Sequence, residues 1–117
     1  MNKKYLLRKV EKILRELDAY KHSLAYLAAI QETAALTPRA AETTRKRIRS
    51  LTLTITSLEH ALGLLTPLER TIIDTLYLTS EHSFDDLCET CALEKSSVYR
   101  YRTRALQKLA VVMFGEG

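Results

Sequence analysis

Apolar residues recur along the first third of the chain with the spacing of a heptad repeat. Alternating steps of four and three positions, typical of a helix that buries one face, separate Leu6, Val10, Ile13, Leu17, Tyr20, Leu24 and Leu27. Thr37-Pro38 then has the N-cap residue and the first-turn proline of a new helix. A second seam follows it, through Ala41, Thr44, Ile48, Leu51, Ile55, Leu58, Leu62 and Leu65. Two seams joined by a short turn predict an antiparallel, coiled-coil-like helical hairpin over residues 1–65.

One segment of the second seam carries a competing signal. Leu51–Thr56 alternates apolar residues with Thr, and this alternation taken alone is typical of a strand. The heptad spacing continues on both sides of the segment, and no partner strand is evident elsewhere. We therefore predict that the segment is helical.

Residues 66–117 predict three shorter helices. Thr66-Pro67-Leu68-Glu69 combines an N-cap, a first-turn proline and a Glu at the third helical position, which is a capping box. Ser83-Phe84-Asp85-Asp86 repeats the capping-box pattern. It precedes a short helix in which three side chains are predicted to face the core: Leu87, Cys88 and Cys91. A tight turn at Ala92-Leu93 leads into a last helix from about Glu94 to Phe114. The chain is therefore predicted to be all-α.

Composition supports this fold class and excludes several functions. Leu occurs 20 times, whereas Gly occurs three times and Pro twice, too few turn residues for a many-stranded barrel. No apolar run reaches the length of a membrane span, so we expect a cytoplasmic protein without a membrane partner. No phosphate loop, nucleophile elbow or paired-His motif is present. We therefore expect that the protein is not an enzyme. We also expect that it has no catalytic residues, no cofactor and no metal site. Cys88-x-x-Cys91 supplies only two of the four ligands of a structural zinc, which favours core packing.

Charge is distributed unevenly along a chain of net charge +4. Residues 66–94 hold seven acidic residues against Arg70 alone, whereas residues 95–108 hold five basic residues and no acid. A second basic run lies at residues 39–49 and includes Arg45-Lys46-Arg47. That run is compatible with the solvated face of a coiled coil or with a nucleic-acid contact, and both interpretations stay open.

A short acidic helix, a tight turn and a basic helix form the pattern of a helix-turn-helix motif. The second helix of such a motif presents polar side chains to base edges, and its flanking cations meet phosphates. Ser96, Arg100 and Thr103 follow steps of four and three, so they share one face. The predicted DNA-binding residues of this recognition helix, about 94–109, are Lys95, Ser96, Ser97, Tyr99, Arg100, Arg102, Thr103, Arg104 and Lys108. Arg102, Arg104 and Lys108 are the expected phosphate contacts.

The motifs of residues 65–109 resemble those of region four of bacterial sigma factors. The similarity rests on Leu65-Thr66-Pro67-Leu68-Glu69-Arg70, Ser83-Phe84-Asp85-Asp86-Leu87, Ser97-Val98-Tyr99-Arg100 and Ala105-Leu106-Gln107-Lys108-Leu109. The layout of the whole chain is most similar to phage- and prophage-encoded transcriptional regulators of the ArpU type, which carry a helical hairpin before such a domain. The chain departs from the pattern at Ala92, where the turn usually has Gly, and at Glu94, where it usually has a Ser N-cap.

The resemblance implies a sequence-specific DNA-binding regulator of the phage late-gene type. Residues 66–117 would bind double-stranded DNA, and residues 1–65 would oligomerise or contact RNA polymerase. Leu7, Leu14 and Leu53 lie beside the seams and predict a second apolar strip for a homodimer. The alternatives are a protein-interaction module that contacts RNA polymerase without specific DNA binding, and a DNA-packaging protein similar to a terminase small subunit.

Overall fold

The computed structural model describes residues 3–33, 35–79 and 84–115. These residues form six helices: α1 Lys3–Arg15, α2 Leu17–Thr33, α3 Pro38–Leu62, α4 Pro67–Ile73, α5 Phe84–Cys91 and α6 Lys95–Phe114. A π-helical turn, Asp74–Leu78, directly follows α4. The described residues contain no strand, and Leu51–Thr56 lies inside α3. The all-α prediction is confirmed.

Helix starts follow the predicted caps where the structure describes them. The Thr37 hydroxyl accepts a hydrogen bond from the Ala40 amide at the start of α3. At the start of α4, the Thr66 hydroxyl accepts from the Glu69 amide, and the Glu69 carboxylate accepts from the Thr66 amide. This reciprocal pair is the predicted capping box. The second predicted capping box begins at Ser83, which lies outside the described residues.

The predicted first helix is interrupted at Glu16, between α1 and α2. Helical hydrogen bonding continues through the interruption, because the Glu16 amide donates to the Lys12 carbonyl at 3.0 Å and the Tyr20 amide donates to the Glu16 carbonyl at 2.9 Å. The two helices nevertheless have different neighbours. α1 packs against α6 and the π-helical turn, whereas α2 packs against α3. One heptad seam is thus divided between two packing partners.

The larger of two hydrophobic cores joins the first and last helices of the chain. Its buried side chains come from α1, the start of α2, α3, the end of α4 and α6, and they include Leu6, Val10, Leu14, Leu58, Leu62, Ile73, Leu106 and Leu109. Residues 1–65 and residues 66–117 thus share one core. Their division into an oligomerisation segment and a DNA-binding domain stays a prediction about function.

Leu7 and Leu14 do not form the outer apolar strip that the sequence predicted. Leu14 is 1% exposed and Leu7 is half-buried, and both pack into the shared core. The reason is that α6 lies against this side of α1, so the strip is covered within the chain. Leu53, on α3, is 62% exposed.

The outer part of the α2–α3 pair is thinly packed. Among the described residues between Leu17 and Ile55 none is buried, although the seam residues Leu24, Leu27 and Ile48 are half-buried. This projecting pair contributes to an elongated molecule of 56 × 33 × 20 Å. Isolated helices gain little stability in water from intrinsic helix propensity alone. The half-buried seam residues of this pair therefore remain available for packing against a partner.

A smaller second core holds α4, α5 and α6 together. Ile72, Leu87 and Val98 are its buried members, one from each helix. Cys88, Cys91 and Tyr101 are half-buried and pack against it, as the sequence predicted. Both cysteines are free thiols.

The turn between α5 and α6 is built without glycine. The Leu93 amide donates to the Cys88 carbonyl at 3.0 Å, and the Ala92 amide donates to the Glu89 carbonyl at 3.2 Å. These two bonds define a Schellman motif, whose central residue adopts a left-handed conformation. Here that residue is Ala92, with φ of 54°, and a Cβ makes this conformation costly.

We expect Ala92→Gly to raise the free energy of unfolding by about 0.5–1 kcal/mol, because relief of the left-handed strain outweighs the added entropy of the unfolded chain. Urea unfolding followed by circular dichroism measures the change. Ala25→Gly is the matched control, since Ala25 is exposed in the right-handed interior of α2. There the same substitution is expected to cost about 0.5–1 kcal/mol. Destabilisation by both substitutions would contradict the strain at Ala92.

Candidate nucleic-acid interface

The exposed side of the first half of α6 carries several of the predicted DNA-binding residues. Ser96, Arg100 and Arg104 are exposed, and Thr103 and Ser97 are half-buried. The second core holds the opposite side of the helix through Val98, which is fully buried. The helix start has no side-chain cap, since the Glu94 side chain makes no capping hydrogen bond.

One aromatic ring, that of Tyr101, lies near both exposed arginines of this face. The guanidinium carbons of Arg100 and Arg104 lie 6.0 and 5.9 Å from the centroid of the Tyr101 ring. Both distances fall at the outer limit of a cation–π contact. Tyr101 is half-buried, so one anchored ring limits the range of both guanidinium groups while they stay exposed.

Tyr99 and Lys95 connect the start of α6 to α5. The Tyr99 ring stacks on the Phe84 ring, with centroids 4.6 Å apart, and it remains 50% exposed. The Lys95 ammonium lies 3.3 Å from the Asp85 carboxylate, and both side chains are mostly exposed. An exposed pair of this kind is worth little and is easily exchanged, so Lys95 can still meet a phosphate.

Arg102 is half-buried between α1 and the Tyr99 ring, whose centroid lies 5.4 Å from its guanidinium carbon. A guanidinium nitrogen lies 4.0 Å from the Glu11 carboxylate, and the buried Nε has no hydrogen-bond partner among the described residues. Glu11 also accepts a hydrogen bond of 2.8 Å from the Tyr77 hydroxyl and lies 3.6 Å from Arg15. Arg102 therefore belongs to the junction between α1, the π-helical turn and α6.

The Tyr77 hydroxyl is strongly biased towards its neutral form. Burial raises the pKa of Tyr77 to about 12, and its hydrogen bond to the negatively charged Glu11 adds to the rise. A protonated hydroxyl is the donor that this hydrogen bond needs. The Tyr77 hydroxyl therefore keeps the proton of this hydrogen bond throughout the neutral pH range.

Lys108 also has a partner within the chain. Its ammonium donates to Glu69 Oε1 at 2.7 Å, and the Glu69 side chain is only 4% exposed. The same carboxylate oxygen completes the capping box at Thr66. Lys108 thus connects α6 to the start of α4, while its side chain remains 49% exposed. The phosphate contact expected from the sequence stays a prediction.

Glu69 remains charged in this buried position. Burial by itself raises the pKa of Glu69, but hydrogen bonds from Lys108 and Thr66 and the attraction of the Lys108 charge outweigh burial, so the pKa lies below its ordinary value of 4.5. The sequence identified Glu69 as part of a cap. Its pairing with Lys108 joins residues 39 positions apart and had no local signal.

The nine predicted site residues therefore divide into two groups. Seven remain on the outer part of α6 or at its start: Lys95, Ser96, Ser97, Tyr99, Arg100, Thr103 and Arg104. Arg102 and Lys108 are engaged by Glu11 and Glu69. The helix that reads as uniformly basic in sequence thus presents two exposed arginines without an acidic partner in the described chain, Arg100 and Arg104.

Two further features concern metal binding and membrane crossing. In residues 3–33, 35–79 and 84–115 no three His, Cys, Asp or Glu side chains are grouped closely enough to hold a metal ion. No helix of that part is both long and apolar enough to cross a membrane.

Comparison with known proteins gives no relative for this site. No family model matches the sequence, and no curated protein or solved structure matches the chain.

We expect Glu69→Gln to reduce the free energy of unfolding at neutral pH by about 1–2 kcal/mol, because a charge-assisted bond at a buried site is weakened. A lowered folded-state pKa gives stability that is complete above the ordinary value and is lost as pH falls through the folded-state value. Glu69→Gln should therefore flatten the fall in stability below about pH 5. Chemical unfolding at a series of pH values measures both effects.

Glu59→Gln is the control for this experiment. Glu59 is exposed and lies 4.0 Å from Lys21, so its substitution should leave the acid dependence nearly unchanged. Equal acid dependence in the Glu69→Gln variant and the unsubstituted protein would contradict the charged pair.

Proposed function

We propose that the chain is a sequence-specific DNA-binding transcriptional regulator, of the phage late-gene type that its motifs resemble. In this proposal α4, α5 and α6 form a sigma region-four-like helix-turn-helix domain, with α6 in the major groove. The observation that carries it is the exposed face of α6, where Ser96, Arg100 and Arg104 share one side of a helix that two cores hold in position.

The chemistry of this face suits a base edge. An α-helix fits the major groove, Arg pairs bidentately with guanine, and Ser bonds to several bases. Arg100 lies between Ser96 and Arg104 along the face and is the proposed base-reading residue. Arg104 and Lys95, nearer the margins of the face, are the proposed phosphate contacts. Arg102 and Lys108 are omitted from this interface because Glu11 and Glu69 engage them.

We expect selection from a randomised double-stranded DNA library to enrich one sequence. Binding to that sequence should weaken steeply with salt, with a log–log slope of about −0.9 for each phosphate contact. Arg100→Ala should cost about 1–3 kcal/mol on the selected sequence and relax its preference. Arg104→Ala is the matched comparison, and it should weaken all sequences alike and lower the salt slope by about one.

A protein-interaction module without specific DNA binding is the second candidate. It is favoured by the exposed acidic residues Asp85 and Glu89 of α5, which lie next to the proposed interface and repel phosphate. Acidic surfaces of this kind suit basic protein partners such as a region of RNA polymerase. This candidate would be supported over DNA recognition if the selection enriches no DNA sequence and if the Arg100→Ala variant binds DNA as the unsubstituted protein does.

The outer part of the α2–α3 pair supports a homodimer as part of the proposed function. Its seam residues Leu27 and Ile48 remain half-buried and no described residue of this part is buried. Two such pairs can complete their seams by forming a four-helix bundle. Two DNA-binding units on one dimer would also read two half-sites.

We expect sedimentation equilibrium at micromolar concentration to give the mass of a dimer. Leu27→Gln combined with Ile48→Gln should weaken association by at least about tenfold, because each apolar side chain contributes roughly 1.5–3 kcal/mol when buried. Leu64→Gln is the control, since Leu64 is 57% exposed beyond the end of α3. A monomer at all concentrations contradicts the dimer, and a ring-sized oligomer supports the DNA-packaging alternative.

A further inference from the structure

An open groove runs between α1 and α3, away from the proposed DNA-facing surface of α6. Its main part has a volume of about 660 Å³ and is lined by residues that include Arg8, Lys12, Ile13, Leu51 and Thr54. A second depression of about 250 Å³ shares Lys9, Ile13 and Thr54 with it and extends to Met113 and Phe114 at the end of α6. The two depressions therefore form one continuous groove.

The packing of α1 explains why the groove exists. Leu7 and Leu14 lie on the side of α1 that meets the shared core, while Tyr5, Lys9 and Lys12 follow steps of four and three on another side. α1 packs mainly on α6 and the π-helical turn, and α2 takes the place beside α3. The side of α1 that faces α3 is consequently left without a packed helix.

One wall of the groove is cationic. Arg8 and Lys12 are exposed, and neither pairs with an acidic residue of the described chain. The Lys9 ammonium lies over the Phe114 ring, 4.7 Å from its centroid. Glu11 is engaged by Tyr77 and Arg15 at the junction with α6. Positive charge on this wall is therefore not neutralised within the groove.

The floor and the opposite wall are apolar or hydroxyl-bearing. Ile13 is buried at the floor, Leu51 is half-buried, and Ser50 and Thr54 line the α3 side. Leu53 is 62% exposed and lines the second depression. At one end of the groove the Tyr20 hydroxyl donates a hydrogen bond of 2.7 Å to the Glu16 carboxylate. The Glu16 carboxylate is therefore already engaged.

We propose that this groove binds an acidic amphipathic helix of a partner protein. The α1 wall of the groove, from Tyr5 to Ile13, is about 12 Å long, which matches about two turns of a partner helix. Leu or Ile side chains of the partner pack on Leu51 and Leu53 above the buried Ile13, and its carboxylates meet Arg8 and Lys12. This is the helix-in-groove mode of recognition.

Charge and shape favour this occupant over the others. A second copy that presented the same groove would bring Arg8 and Lys12 of both copies together, which like-charge repulsion disfavours. A nucleic-acid backbone would satisfy the cations but would leave the exposed surfaces of Leu51 and Leu53 without apolar contacts. Occupancy of this groove does not require DNA binding by α6.

The test uses two designed amphipathic helical peptides with one shared Leu face. One peptide carries Glu at its flanking positions, and the other carries Lys at the same positions. We expect fluorescence anisotropy to show saturable binding of the Glu peptide to the full chain and at least about tenfold weaker binding of the Lys peptide, since two or three rim charges give this difference. Leu53→Asn should weaken the Glu peptide by about tenfold.

Arg8→Glu combined with Lys12→Glu should reverse the preference, so that the Lys peptide binds more tightly. Arg45→Glu combined with Arg49→Glu changes the net charge equally on exposed residues outside the groove lining, and it should alter affinity for the Glu peptide less than twofold. Thermal unfolding checks that both variants remain folded. Reversal in the first pair with little change in the second separates groove binding from general charge attraction.

Three results would overturn the inference. Absence of saturable binding by the Glu peptide would remove its basis. Equal loss of affinity in the two charge-reversed pairs would show attraction to net charge alone. A loss of double-stranded DNA binding in the Arg8→Glu, Lys12→Glu protein, with no peptide binding by the unsubstituted chain, would assign the groove to nucleic acid. Arg100→Ala serves as the reference for α6, because it should leave peptide binding unchanged.

Discussion

Burial of α1 against α6 is the constraint on which the other features depend. Leu6, Val10 and Leu14 enter the same core as Leu106 and Leu109, so the last helix is held by the first. One side of the second half of α6 is packed in this core, and the outer side of its first half carries the proposed DNA-facing residues. The same contact turns another side of α1 towards α3 and leaves the basic groove open.

Two buried or half-buried carboxylates refine this arrangement by selecting among the cations of α6. Glu69 binds Lys108 at the start of α4, and Glu11 attracts Arg102 at the junction with Tyr77. The buried charge of Glu69 is compensated by a close partner at 2.7 Å, as burial requires, whereas Arg102 and Glu11 are 4.0 Å apart. Arg100 and Arg104 remain exposed, and the proposed DNA interface is consequently smaller and more defined than the five basic residues of positions 95–108 suggest.

Much of the local structure could be predicted from the sequence because its signals act over a few residues. The Thr66 and Glu69 cap, the Pro38 helix start and the turn at Ala92 all depend on hydrogen bonds between near neighbours. The helical state of Leu51–Thr56 was also predicted, since the surrounding heptad spacing outweighs β-propensity. The interruption at Glu16 was missed because a heptad repeat specifies which face is buried and does not specify against which helix.

The sequence by itself determined the helices, their caps and the faces they bury, because periodicity and capping are properties of adjacent turns. Tertiary structure decided the partners. It packs Leu7 and Leu14 into the core that α1 shares with α6. It pairs Lys108 with Glu69 across 39 positions, and it leaves the seam residues after Leu17 only half-buried. These outcomes depend on which faces meet in space, and contacts between distant residues leave no periodic trace along the chain.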